Sequence, residues 1–138
     1  MLVTFDFDST LTTPKRDSFA WQDTSFWTTS SIPQQAVIDT MRELAEAGHD
    51  VMIVTTRSKR SRQGVEQFVE KHDLPVQEIH CTEGEDKLPV LENLGSQLHF
   101  DDDVEEMRRI QGSDVVHGKL VLHPHDRQHT DVSGLDIF

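Results

Sequence analysis

Short apolar runs alternate with amphipathic helical patterns along most of this chain, and that alternation narrows the available folds more than any other feature. Residues 2–5, 51–54, 76–80, 97–100 and 119–122 read as strands. Between them, 33–47, 61–72, 87–94 and 104–110 read as helices. Val37, Met41, Leu44 and Ala45 share a face of the first helix and Gly48 stops it, while Val65, Phe68 and Val69 stripe the second. Strands joined by helices at this spacing build βαβ units. The expected fold class is therefore α/β, a Rossmann-like three-layer sandwich around a central, mainly parallel sheet. With 138 residues, no repeat and no Gly/Ser linker, a single domain over 1–138 is expected.

In such a sheet chemistry gathers at the carboxyl ends of the strands. Unusual polar residues do follow the apolar runs: Asp6 and Asp8 after the first, Thr55, Thr56 and Arg57 after the second, Asp101, Asp102 and Asp103 after the fourth. Taken alone, FDFDST reads as a strand and an Asp-rich turn. HFDDD alone reads as a helix N-cap, a role that suits Asp103. Together, at strand tips that a doubly wound sheet can bring side by side, they form a set of repelling carboxylates. A hard divalent cation with oxygen ligands neutralises such a set. Asp6, Asp8, Asp101 and Asp102 are the candidate metal residues. A carboxylate–magnesium site suits a phosphate ester, because the ion lowers the repulsion against an incoming carboxylate nucleophile. Thr55 supplies a hydroxyl donor. Lys87, at the start of a helix, supplies positive charge, although a lone lysine there would otherwise read as a surface residue.

These segments resemble the haloacid-dehalogenase superfamily of phosphohydrolases, with all four motif positions filled in order over residues 1–110. FDFDSTLT is similar to the first motif, which implies Asp6 as the nucleophile that becomes an aspartyl-phosphate and Asp8 as general acid/base. In this family Asp8 would also offer its backbone carbonyl to the ion. VMIVTTR is similar to the second, implying Thr55 as the phosphate-binding hydroxyl. DKLPVLENLG is similar to the third, implying Lys87 as the charge-balancing lysine. LHFDDD is similar to the fourth, implying Asp102 as direct magnesium ligand with Asp101 beside it. Spacing does not say which of Glu85, Asp86 and Lys87 points inward. Glu105 and Glu106 both qualify as the acidic residue that often follows the fourth motif, which leaves the register between Asp101 and Asp102 as direct ligand open.

Thr12–Ile32 is too short for a folded cap domain, so a small flap over 12–32 is expected, leaving an open site. Such a site calls for a bulky substrate or closure by a partner subunit in a homo-oligomer. Phe19, Trp21, Phe26 and Trp27 either pack the flap onto the sheet or stack on a base. The chain is strongly acidic, with formal charge −12, which repels polyanions on average. Its one dense basic run, RSKRSR at 57–62, follows the second motif and lies at the expected mouth. Thr55-x-Arg57 and DDDVEEMRRI resemble the phosphatase domain of polynucleotide kinase-phosphatases. Arg57 is placed to fork onto a phosphate, and Thr56 and Lys87 join Thr55 and Arg57 as substrate-binding candidates. The expected function is a magnesium-dependent phosphomonoester hydrolase acting on nucleotides or nucleic-acid terminal phosphates. The alternatives are a small-metabolite phosphatase or phosphotransferase and, from another class, a non-catalytic phosphate-binding module; an intact Asp6, Asp8, Thr55 and Lys87 set speaks against the last.

Cys81 has no partner for a disulfide or a CxxC site. No apolar stretch approaches the roughly 18–20 residues that span a bilayer, and the first strand begins at Leu2, leaving no room for a targeting peptide. A cytoplasmic location and no membrane partner are expected. His123, His125 and His129 lack a zinc-site pattern, and 123–138 is expected to be an irregular tail.

Overall fold

The computed structural model of the protein describes residues 1–13, 32–123 and 131–138. Among them, five strands form one sheet: β1 (Leu2–Phe5), β2 (Asp50–Thr55), β3 (Glu78–Cys81), β4 (Ser96–Asp101) and β5 (His117–Leu120). Their order is β3-β2-β1-β4-β5, and every pairing is parallel. The α-helices are α1 (Gln35–Glu46), α2 (Arg62–Lys71), α3 (Leu88–Leu94) and α4 (Val104–Gln111).

The central strand is apolar because both its faces are covered. Val3 and Phe5 pack with Val37, Ile38 and Met41 of α1 and Val65 and Phe68 of α2. A second cluster joins Val54 and Leu120 to Leu91 of α3 and Met107 and Ile110 of α4. Helices on the two sides of a parallel sheet make the α/β, Rossmann-like sandwich that the alternating pattern predicts. Aromatic rings join the elements: Phe5 of β1 stacks on Phe100 of β4 with centroids 4.6 Å apart, and Phe7, just after β1, meets Phe68 of α2 edge-on at 5.1 Å.

Local chemistry explains most boundaries. Gly95 ends α3 in the left-handed region at φ 82°, where a side chain would be strained. Asp103 caps α4, its carboxylate accepting from the Glu105 and Glu106 amides, as its place before the helix implies. Two strands are displaced from their expected positions. The third starts at Glu78 rather than residue 76, because the Val76 amide turns back to the Leu74 carbonyl at 2.8 Å. The last begins at His117 rather than residue 119. It is an edge strand of weakly apolar residues, and Gly118 lets it approach α4 closely: a Cβ there would lie 2.7 Å from Met107 Sδ.

Residues 131–138 return alongside β5. Leu120 donates to Asp136 O and receives the amide of Phe138, both at 2.8 Å. Val132, Leu135 and Ile137 pack on the second cluster, and Phe138 sits edge-on against Phe100. The flap aromatics Phe19, Trp21, Phe26 and Trp27, and His125 and His129, lie outside the described residues.

Candidate active site

The chain lays β2 and β3 on one side of β1, then returns to place β4 and β5 on the other. The reversal leaves a crevice at the carboxyl ends of β1 and β4, where ligands of open α/β sheets bind. Phe5 and Phe100 are paired across it, and the Asp6 amide donates to the Phe100 carbonyl at 2.8 Å. Asp6 and Asp101, 95 positions apart in sequence, are therefore neighbours. A cavity of about 280 Å³ opens there, lined by Asp6, Asp8, Ser9, Thr56, Lys87, Asp101, Asp102 and Asp103.

Lys87, at the foot of α3, is the buried member of its Glu85–Lys87 run; Asp86 is exposed. Its Nζ donates to Asp6 Oδ1 at 2.7 Å and to Asp101 Oδ2 at 2.6 Å. Burial opposes the ammonium charge, but the two carboxylates more than offset it and hold Lys87 above the ordinary lysine range. Burial also opposes ionisation of Asp101, yet Lys87 and a hydrogen bond from His99 drive its pKa below the usual carboxylate range. Asp6 behaves oppositely. Burial first, then the charge of Asp101, push it up to about 7 against the pull of Lys87. Asp102 is pushed up to about 10 by burial and by the charges of Asp6 and Asp101. One lysine thus leaves the carboxylate set under-neutralised.

Oxygens of Asp6, Asp101 and Asp102 lie within 4.8 Å of one another. Three hard oxygen donors, with burial and mutual repulsion opposing the ionisation of Asp6 and Asp102, fit a small divalent cation such as magnesium. The Asp8 side chain is not in that group. Arg57 forks onto it, Nε to Oδ2 and Nη2 to Oδ1, both at 2.7 Å, while its guanidinium covers the Phe7 ring. Thr55, buried at the end of β2, accepts the Arg57 amide at 3.3 Å, and Thr56 is exposed on the cavity wall.

Several residues around the site escape a motif reading. Thr10 donates to Asp6 Oδ2 at 3.2 Å; its signal was the final Thr of D-x-D-x-T. Ser9 sits at φ 63°, and its carbonyl receives His123 Nε2 at 2.5 Å, so the residues after β5 reach the loop that carries Asp8. Glu106 is buried and accepts the Lys87 amide at 3.4 Å, whereas Glu105 is exposed. Of the two, Glu106 is the one buried beside the start of α3. His99 has no counterpart in the motifs beyond being a polar residue inside an apolar strand.

This crevice of carboxylates around one buried lysine, at the strand tips of a parallel sheet, is the arrangement that the haloacid-dehalogenase resemblance implies. The sequence model of the polynucleotide kinase 3 phosphatase family matches residues 1–91, and the chain belongs to that family. No curated protein matches the sequence significantly. Among solved structures, a chain of the Pnkp1/Rnl/Hen1 RNA repair complex superposes with a TM-score of 0.71 at 15% identity, covering 88% of this chain and 42% of that one. A second structure of the Pnkp1/Rnl/Hen1 complex gives 0.66 at 15% identity, with 88% and 46% covered. This chain thus spans less than half the length of those chains. The D,D-heptose 1,7-bisphosphate phosphatase from B. bronchiseptica, complexed with magnesium and phosphate, gives 0.65 at 13% identity over 99% of this chain and 91% of that one. At such identities these likenesses speak for the fold. No described helix is long and apolar enough to cross a membrane.

Proposed function

We propose that the protein is a magnesium-dependent phosphomonoester hydrolase working through an aspartyl-phosphate on Asp6, with nucleotides or nucleic-acid terminal phosphates as substrates. The observation that carries this reading is the buried Lys87 ammonium bridging Asp6 and Asp101, beside Asp102 and at the wall of an open cavity. A nucleophilic carboxylate must meet an anionic phosphoryl group, and positive charge placed beside the attacking oxygen relieves that repulsion.

In the proposed reaction an Asp6 oxygen attacks phosphorus and the bond to the leaving alcohol breaks. Asp8 gives the departing oxygen its proton. It then takes a proton from the water that attacks the phosphoaspartate, releasing inorganic phosphate and restoring Asp6. Thr55, Thr56, Arg57 and Lys87 bind the phosphoryl oxygens, and a phosphate competes with Asp8 for the Arg57 fork. Magnesium, held by Asp6, Asp101, Asp102 and the Asp8 backbone carbonyl, would neutralise phosphoryl charge. The substrate class is supported by the family of residues 1–91 and by the basic run that begins at Arg57. Lys59 and Arg62 of that run are exposed.

The test is phosphate release with magnesium from a 3′-phosphorylated oligonucleotide, nucleotides, sugar phosphates and an aryl phosphate, for wild type and Asp6→Asn. Turnover by wild type alone is expected. Equal, negligible turnover by both proteins on every substrate would sink the hydrolase assignment. Activity confined to sugar phosphates would replace the nucleic-acid end by a small metabolite.

A further inference from the structure

A chain of buried polar side chains runs through the sheet to the site, and the chemistry above makes no use of it. Thr4 on β1 and Ser96 and His99 on β4 are all wholly buried, on the face opposite Val3 and Phe5. Thr4 Oγ1 lies 2.8 Å from Ser96 Oγ and 2.8 Å from His99 Nδ1. His99 Nε2 in turn lies 2.9 Å from Asp101 Oδ2. The Leu98 carbonyl is within reach of both hydroxyls, at 3.3 and 3.2 Å. Each polar side-chain atom of Thr4, Ser96 and His99 has a partner, as burial demands.

The direction of the last bond follows from donor chemistry. An ionised carboxylate only accepts, so Nε2 carries the hydrogen. Nδ1 faces a hydroxyl that can donate or accept, so the bond to Asp101 holds whether or not Nδ1 is also protonated. An apolar side chain would fill this strand position without burying a ring that needs two partners. What the histidine adds is a grip on Asp101.

That grip complements two others. Asp101 Oδ2 also receives Lys87 Nζ at 2.6 Å, and Oδ1 accepts the Asp103 amide at 3.0 Å. Lys87, however, is shared with Asp6, so it cannot hold Asp101 independently of the nucleophile. His99 belongs to β4, and among the described residues its ring hydrogen-bonds only to Thr4 and Asp101.

We propose that His99 is a positioning residue: anchored by Thr4 and Ser96, it clamps Asp101 from the sheet side so that its carboxylate is presented to Lys87 and to a divalent cation shared with Asp6 and Asp102. The proposal rests on the magnesium reading of those carboxylates. Groups that orient a ligand from behind typically change metal affinity by about 10–100-fold.

The experiment compares His99→Gln with His99→Asn. The glutamine amide reaches to where Nε2 stands and keeps a donor for Asp101, whereas the asparagine amide reaches only to where Nδ1 stands. Magnesium affinity is measured by calorimetry, and thermal unfolding in EDTA reports stability separately. Expected are glutamine within about threefold of wild type and asparagine about 10–100-fold weaker, with similar unfolding temperatures in EDTA. A packing role would not separate the two readouts. Asparagine binding magnesium as tightly as wild type, or glutamine binding as weakly as asparagine, overturns the proposal. Should neither variant fold, ¹⁵N spectra of the wild-type imidazole decide: a ring protonated at Nε2 supports the clamp, and one protonated at Nδ1 alone overturns it. Wild type failing to bind magnesium would overturn the metal reading and this proposal together; intact wild-type binding with an unaffected asparagine variant overturns this proposal alone.

Discussion

Replacing Lys87 with methionine keeps the length of the side chain and removes the cation that, among the described residues, bridges Asp6 and Asp101. At an effective dielectric of about 20, each contact near 2.7 Å carries ~6 kcal/mol of gross attraction. Desolvation of the three groups consumes much of that. Removing one partner from such a buried set leaves a net loss of about 3–5 kcal/mol, equivalent to roughly 10–20 °C in Tm for a domain of this size. The loss depends on pH in a definite sense. Lys87 is charged throughout the neutral range, its pKa being raised above 10.5, whereas Asp6, pushed up to about 7, becomes more fully ionised from pH 6 to 8, so the wild-type attraction grows with pH. In the variant the carboxylates can relieve their repulsion only by taking up protons. Asp6, already pushed up to about 7, does so more readily at pH 6 than at pH 8. Thermal unfolding in EDTA should therefore show the larger deficit at pH 8, and added magnesium should restore more stability to the variant than to wild type. A Lys87→Met protein as stable as wild type in EDTA at pH 8 would refute the account of Lys87 as the charge that holds the cluster together.

Arg57→Lys keeps the charge but loses the two-pronged contact with Asp8; kcat/KM should fall by about tenfold or more in steady-state assays, since an ammonium cannot reproduce a planar fork. Gly118→Ala places a Cβ 2.7 Å from Met107 Sδ and 3.2 Å from Ile110 Cγ2. Overpacking should cost about 1 kcal/mol, towards the low end because methionine can shift, and urea denaturation measures it. The Asp136 carboxylate is held below its ordinary 3.8 by hydrogen bonds from His117 and Lys119. A depressed aspartate contributes stability above its unfolded pKa and loses it as pH falls through the folded one. The contact of residues 131–138 with β5 should consequently loosen below about pH 4, seen as faster hydrogen exchange at the Leu120 and Phe138 amides before the rest of the sheet opens.

Legibility from sequence followed the range of the interactions involved. β1 and α4 fall where the local pattern puts them, because alternate burial along a strand and a 3.6-residue stripe along a helix are written into neighbouring residues. β3 and β5 slipped by two residues since their ends are set by partners elsewhere: Gln77 donates to Val51 O, and Val121 to Asp101 O. Residues 131–138 showed too little periodicity to suggest that Phe138 would reach Phe100, and that docking depends on what β5 and α4 leave uncovered. In the site, acidic residues at strand ends were visible as a pattern. His99 was not, because a histidine inside an apolar run acquires meaning only from Thr4 and Asp101.

The sequence by itself determined the order of strands and helices, the carboxylates at the strand tips and the lysine at a helix start. Each depends on residues a few positions apart, whose spacing survives without a fold. Tertiary structure alone decided that Lys87 rather than Asp86 faces the crevice, that Glu106 rather than Glu105 is buried behind it, and that Arg57 engages Asp8. It also decided that Asp101 is gripped from behind by His99. These choices follow from laying β2 and β4 on either side of β1, with α3 and α4 packed against β4, which brings residues about 14 to 95 positions apart into contact. Burial then makes an unpaired charge too costly to leave in place, so each buried charged side chain turns to a partner supplied by the fold.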